Sequence, residues 1–187
     1  MRVIAGKYRS RLLGAPAGMA TRPTSDRLRE TLFNVLAPRI ADARLLDLYA
    51  GSGAVGIEAL SRGAAQVTFV ERAERALKTL RANLNSLGIV SGFSIYSGTA
   101  AAYLNGSRTG ALELDIVFLD PPYDAANEYE KTLGLFGGES IGFLAENAVV
   151  VAEHRRKDEL EAQYGLLKRT RLLKQGDAAL SFYELKK

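Results

Sequence analysis

Two stretches of this sequence combine residue types that can do chemistry. The first reads Asp47-Leu48-Tyr49-Ala50-Gly51-Ser52-Gly53-Ala54-Val55-Gly56. Gly51, Gly53 and Gly56 have G-x-G-x-x-G spacing, behind a strand-like apolar segment and ahead of a helical one. Glycines here allow a tight turn and close approach of backbone to a ligand. Glu71 stands twenty residues beyond Gly51, at the tip of the next apolar segment, where a carboxylate can accept hydrogen bonds from both ribose hydroxyls. The combination points to a nucleoside-containing cofactor, against the blander reading of a glycine turn without ligand. The second stretch is Asp120-Pro121-Pro122-Tyr123. Two prolines remove two N–H donors and leave carbonyl oxygens free to face a ligand. The Asp120 carboxylate and the Pro121 carbonyl can then hold a planar –NH2 group, and Tyr123 offers a face for a base to stack on.

NAD and S-adenosylmethionine both suit a glycine loop of this kind. Asp47 separates them, because a carboxylate beside the loop would repel a pyrophosphate. S-adenosylmethionine carries an ammonium and a sulfonium and no phosphate, so the same acid can bind the ammonium or hold the loop. The amine grip at Asp120–Tyr123 agrees. An exocyclic base amine is a weak nucleophile; holding both N–H groups restores lone-pair character, and in-line approach to a methyl carbon supplies the rest. That chemistry requires neither a metal nor a covalent intermediate.

The elements that must position these residues follow from periodicity. Strand-like segments occur at 44–49, 66–71, 92–97, 114–119 and 147–152, with helical stretches at 54–62, 73–87, 99–105 and 126–136 between them. Short, continuously apolar strands alternating with helices predict a parallel sheet covered on both faces. Residues 165–174 and 178–186, around Gln175-Gly176-Asp177, predict a terminal antiparallel hairpin. The fold class expected is therefore α/β and Rossmann-like, with a seven-stranded, mostly parallel sheet. Ahead of it, Val3-Ile4 and Arg11-Leu12-Leu13 flank a possible small hairpin. A helix is expected from Thr24 as N-cap, with Leu28, Leu32, Val35 and Leu36 on one face and Pro38 closing it.

Composition bounds the answer further. The chain has 187 residues, 47% hydrophobic and 25% charged, which fits one compact domain. It has no cysteine and one histidine, which excludes disulfides, thiolate catalysis and multi-histidine metal sites. No apolar run reaches the roughly 18–20 residues of a membrane span, and Met1–Leu13 lacks the apolar stretch of a signal peptide, so a cytoplasmic protein is expected. Net charge is +4, yet residues 1–40 hold eight basic groups against two acidic ones. We therefore expect a basic N-terminal extension, residues 1–40, that grips a polyanion, and a near-neutral binding body, residues 41–187.

The order DLYAGSG (47–53), FVE (69–71), DPPY (120–123) resembles the class I S-adenosylmethionine-dependent methyltransferases that modify exocyclic amines. The stretches MRVIAGKYRSRLL at the start, RPTSDRLRETLFNVL at 22–36 and DLYAGSGAVGIEALSRGA at 47–64 resemble the RsmD family across essentially the whole chain. That resemblance implies a methyltransferase acting on guanine N2 in 16S ribosomal RNA, within an assembling or assembled small ribosomal subunit. It implies that Asp47, Tyr49, Ala50, Gly51, Ser52 and Gly53 line the methionine and ribose end, that Glu71 holds the ribose, and that Asp120, Pro121, Pro122 and Tyr123 grip the guanine. Arg22, Thr24, Arg27 and Arg29, in the block ending at Glu30, would close over cofactor and RNA. Arg72 and the pair Thr99-Ala100 would lie against adenine; Thr99 stands where the family commonly has Asp or Asn, so only a hydroxyl is offered.

Other residues read more plainly. His154 is expected at a solvated strand end, Tyr103, Phe118 and Phe143 in the core, and Lys168, Arg169, Arg171 and Lys174 on a charged edge strand. Three other functions compete with the leading one. An adenine-N6 DNA methyltransferase would need a target-recognition region for which this length leaves little room. A non-catalytic RNA-binding assembly factor would not need both motifs intact. An NAD oxidoreductase is opposed by Asp47 and by Asp120–Tyr123.

Overall fold

The computed structural model describes residues 1–15, 25–106, 113–122, 126–138 and 143–186. Among the described residues the predicted alternation folds into eight strands: β1 Arg44–Leu48, β2 Gln66–Glu71, β3 Phe93–Ser97, β4 Leu114–Leu119, β5 Leu144–Arg155, β6 Gln163–Tyr164, β7 Leu167–Gln175 and β8 Ala178–Leu185. They form one sheet in the order β3-β2-β1-β4-β5-β8-β7-β6. β1 to β5 run parallel, and β8 returns antiparallel along β5, with Val151 opposite Phe182. All seven expected strands are present. The eighth, β6, is a two-residue edge piece pairing Gln163 with Lys168 and Tyr164 with Leu167, too short to leave a periodic trace. β5 runs from 144 to 155, beyond the expected 147–152, because Leu144 pairs with Leu114 of β4 while Arg155 pairs with Ala178 of β8.

Side chains alternate across the sheet and build a core on each face. Leu45, Phe69 and Phe118 point to one side, where α1 (Asp26–Leu36), α2 (Ala54–Ser61) and α3 (Glu74–Ser86) bury Phe33, Ile57 and Leu80. Leu46, Val70 and Val117 point to the other, where α4 (Ala100–Gly106) and α5 (Ala126–Gly137) bury Leu104 and Phe136. Each such buried side chain is worth about 1.5–3 kcal/mol, which explains why these strands read as continuous apolar runs.

The N-terminal segment is docked rather than free. Val3 and Leu13 are buried in the same cluster as α1. The expected hairpin forms at its base, where Arg2 bridges Leu12, Val3 N donates to Arg11 O and Leu13 N to Met1 O, and α2 takes the donors nearer its tip. The Glu58 carboxylate accepts from the Ile4 and Ala5 N–H groups at 2.7 and 3.0 Å, and Ser61 accepts from Lys7 N and Tyr8 N. The cap of α1 is Ser25, whose hydroxyl accepts from Leu28 N at 3.1 Å. Thr24, the expected cap, lies outside the described residues. Past Leu36 the chain continues into a 3-10 turn, Ala37–Arg39, with Pro38 at its start.

The chain enters the sheet at β1, steps outward to β3, then crosses to β4 on the opposite side of β1. The strand order therefore reverses between β1 and β4, and in open α/β sheets ligands bind at the carboxyl ends of the strands flanking that crevice. Asp47 precedes the end of β1 by one residue, and Asp120 directly follows β4.

Candidate active site

The loop after β1 is held by the sheet rather than by its own glycines alone. Asp47 is 2% exposed, and its carboxylate accepts from Gly56 N at 2.9 Å, which ties the first turn of α2 back to β1. A Cβ at Gly53, where φ is +80°, would lie 2.2 Å from Leu80 Cδ1, and one at Gly56 would lie 2.2 Å from the Phe69 ring. Two of the three fingerprint glycines thus exist so that α2 and α3 can sit close on the sheet. Tyr49 adopts φ +64°, a conformation uncommon for a side-chain-bearing residue and concentrated at functional sites. Its hydroxyl donates to Glu128 of α5 at 2.9 Å and lies 3.1 Å from the Thr132 hydroxyl, while burial, chiefly, pushes its ionisation up to about 12.

Three carboxyl groups converge on the strand ends. Glu71, closing β2, accepts from Gly51 N at 2.8 Å with one oxygen and from Arg72 N and Ala73 N at 2.8 Å with the other. Burial raises Asp47 to about 7; the Gly56 N–H partly opposes this and the neighbouring Glu71 charge adds to it. Asp120 lies well above the usual carboxylate range, through burial first and then the charges of Glu153 and Asp47. Among the described residues, no ion pair involves Asp47, Glu71 or Asp120. Asp47 and Asp120, which burial holds toward the protonated form, give an anion nothing to bind, whereas a cation would draw them to ionise, so the crevice opposes a pyrophosphate and suits a cation. S-adenosylmethionine, with its sulfonium and ammonium, fits this donor set, and a half-exposed Glu71 at the loop fits its ribose.

The structure brings several other expected residues to this crevice and removes others. Ala50 N is fixed to Val70 O at 3.0 Å, and Ser52 is buried with its carbonyl accepting from Asn83 Nδ2 at 2.9 Å. Thr99 is engaged locally, its hydroxyl accepting from Ala102 N at 3.1 Å to cap α4, with Ala100 buried beside it. Arg72 is exposed at the rim. Pro121 is buried and Pro122 exposed, while Tyr123, Arg22 and Thr24 lie outside the described residues. Arg27 is exposed on α1.

Two expectations need correction. Arg29, expected over cofactor and RNA, is 0% exposed. Its guanidinium donates to Asp26 at 2.9 Å and to the Arg2 carbonyl, and lies 3.8 Å from Glu58, so α1 uses it to hold the N-terminal segment. His154 is 3% exposed rather than solvated, since β8 covers that end of β5. Its Nδ1 lies 2.9 Å from the Arg155 carbonyl, which can only accept, so Nδ1 bears the proton and Nε2 accepts from the Ser181 hydroxyl at 2.9 Å. Burial keeps this ring neutral by lowering its pKa. Phe118 is buried as expected, while Tyr103 and Phe143 are partly buried against the second core. Sequence reasoning missed Glu58 and Asn83, yet both left a signal: each is a polar residue inside an otherwise apolar helical face.

A family model described as Conserved hypothetical protein 95 matches residues 1–184. Ribosomal RNA small subunit methyltransferase D of Escherichia coli (strain K12) is 41% identical over 153 residues, covering 82% of this chain and 74% of that protein. The chain belongs to the RsmD family of methyltransferases. The Haemophilus influenzae protein of the same name is 36% identical over 167 residues, 86% of this chain and 81% of its own. A solved Escherichia coli structure, provisionally named a methyltransferase, aligns with a TM-score of 0.84 at 34% identity over 100% of this chain and 98% of that one. The architecture is thus the α/β methyltransferase fold, with the RsmD-family loop and Asp120-Pro121-Pro122 at its crevice.

Proposed function

We propose that this RsmD-family chain transfers a methyl group from S-adenosylmethionine to the exocyclic N2 amine of a guanine in 16S ribosomal RNA, within an assembling or assembled small ribosomal subunit in the cytoplasm. The observation that carries the reading is the trio of carboxyl groups, without an ion-pair partner among the described residues, at the ends of β1, β2 and β4, set where the strand order reverses. The bound cofactor supplies an electrophilic methyl carbon with a neutral sulfide as leaving group. Asp47 holds the loop where the methionine end would lie, and Glu71, which fixes Gly51, would hold the ribose. Asp120 and the Pro121 carbonyl hold the two N–H groups of the guanine amine, so that its nitrogen lone pair, freed from the ring, meets the methyl carbon in line. As the carbon–nitrogen bond forms and the carbon–sulfur bond breaks, the nitrogen becomes acidic and loses a proton to water. Tyr123 stacks on the base.

The RNA grip comes from the basic extension, residues 1–40, docked on the body, residues 41–187. Its exposed cations among the described residues include Arg2, Lys7, Arg9, Arg11 and Arg27; Arg22 and Thr24 are assigned to the same grip from the sequence, and Arg29 serves the scaffold instead. The test is a separation of binding from turnover. Asp120→Ala should lower methyl transfer by about a hundredfold or more while S-adenosylhomocysteine affinity, measured by calorimetry, changes far less. Near-normal turnover in that variant would overturn the assignment of Asp120, and comparable affinity for NAD would overturn the cofactor.

A further inference from the structure

Asn83 lies on the buried side of α3, 4% exposed, between two parts of the molecule that are distant in sequence. Its Nδ2 donates to the Ser52 carbonyl of the glycine loop at 2.9 Å and to the Gly14 carbonyl at 3.2 Å, and its Oδ1 accepts from Gly14 N at 2.8 Å. One amide thereby satisfies a buried carbonyl of the loop and both backbone groups of Gly14. The fit is close: a Cβ at Gly14 would lie 3.3 Å from Oδ1. The other end of the same N-terminal segment also reaches the loop, since the Ser52 hydroxyl lies 3.9 Å from Met1 Sδ, as does the Arg29 guanidinium.

We propose that Asn83 is a positioning residue that couples the glycine loop to the N-terminal segment, so that cofactor binding and docking of the basic extension reinforce each other. The inference rests on the reading of this loop as the cofactor site. Ordering Ser52 around a ligand fixes the amide, and a fixed amide holds Gly14. Because such coupling is reciprocal, docking the extension pre-orders the loop by the same factor. A side chain with one acceptor and two donor hydrogens is needed: Asp keeps the acceptor for Gly14 N but sets a carboxylate against two carbonyls, and Ala leaves all three groups unpaired. The extension is therefore not a detachable arm, and removing it should weaken the cofactor as well as the RNA.

Hydrogen exchange of the full-length protein, with and without S-adenosylhomocysteine, tests this. In the wild type the ligand should slow exchange about threefold or more, both in a peptide covering 50–56 and in one covering 1–15, remote in sequence from the loop. Asn83→Ala should weaken S-adenosylhomocysteine by about five- to thirtyfold in calorimetry and should lose the slowing in 1–15 while keeping it in 50–56. Asn83→Asp should behave like Asn83→Ala, which a simple packing role would not produce, because Asp preserves the volume. Protection confined to 50–56 in the wild type would overturn the coupling and leave the cofactor site intact, and that measurement needs no variant to fold. Absence of any ligand binding to the wild type would overturn the functional reading and this inference together.

Discussion

A carboxyl group whose protonation changes near neutrality makes affinity a function of pH, and Asp47 is placed to do so. Burial raises it from 3.8 to about 7, so a cationic ligand binds best to the form that has lost its proton. S-adenosylmethionine affinity should therefore strengthen from pH 6 to pH 8, by at most about tenfold per unit for one proton released; calorimetry in buffers of different ionisation enthalpy would count that proton. The stability of the ligand-free protein should run the other way. The folded state holds this proton more tightly than the unfolded chain, so its contribution declines as pH rises from about 4 to about 7. Asp47→Asn keeps an oxygen for Gly56 N and should flatten that decline relative to the wild type in thermal melts. Glu71 acts through geometry: three backbone N–H groups converge on it. Glu71→Ala should weaken the cofactor by about 1–3 kcal/mol and loosen the start of the loop. The placement of Asp47 and Glu71 at adjacent strand ends was legible from position alone, one before the glycines and one at the next strand tip. Their mutual repulsion was not, because it depends on strands 1, 2 and 4 lying side by side.

At the scale of elements, two arginines of one helix separate binding from folding. Arg27 and Arg29 look alike in sequence, both within the basic block. In α1, Arg29 shares the buried face with Leu28 and Leu32 whereas Arg27 is exposed. Arg29→Met keeps much of the volume but withdraws the charge from Asp26 and from Glu58, which is itself 0% exposed. It should cost about 3–5 kcal/mol, the range for breaking a buried pair, read as a lower urea midpoint. Arg27→Ala should leave that midpoint unchanged and lower the salt slope of RNA binding by about one. Equal effects of the two on the salt slope would contradict this division. The hairpin expected at Val3–Leu13 forms at its base but stays short for a related reason: Glu58 and Ser61 of α2 capture the donors nearer its tip, a tertiary contact that local pattern does not report.

Across the whole molecule, the legible features were those set by periodicity. Strands 1, 2, 4 and 5 appear within a few residues of expectation because a strand buried on both faces must be apolar throughout, whereas the more exposed β3 and β7 were placed by spacing and by the Gln175-Gly176-Asp177 turn. The edge strand β6, the burial of His154 beneath β8 and the Asn83 link were not legible, since each arises where segments far apart in sequence meet. The sheet brings the acidic crevice, the Asp120-Pro121-Pro122 turn and the basic extension onto one molecule, and the account stands on what that combination does to RNA. Incubation with labelled S-adenosylmethionine and hypomethylated small ribosomal subunits or their RNA, followed by mass spectrometry of the digested nucleosides, asks this directly. The account predicts label in N2-methylguanosine from small-subunit RNA, lost in Asp120→Ala; label in N6-methyladenosine, or no transfer from the wild-type protein, would contradict it.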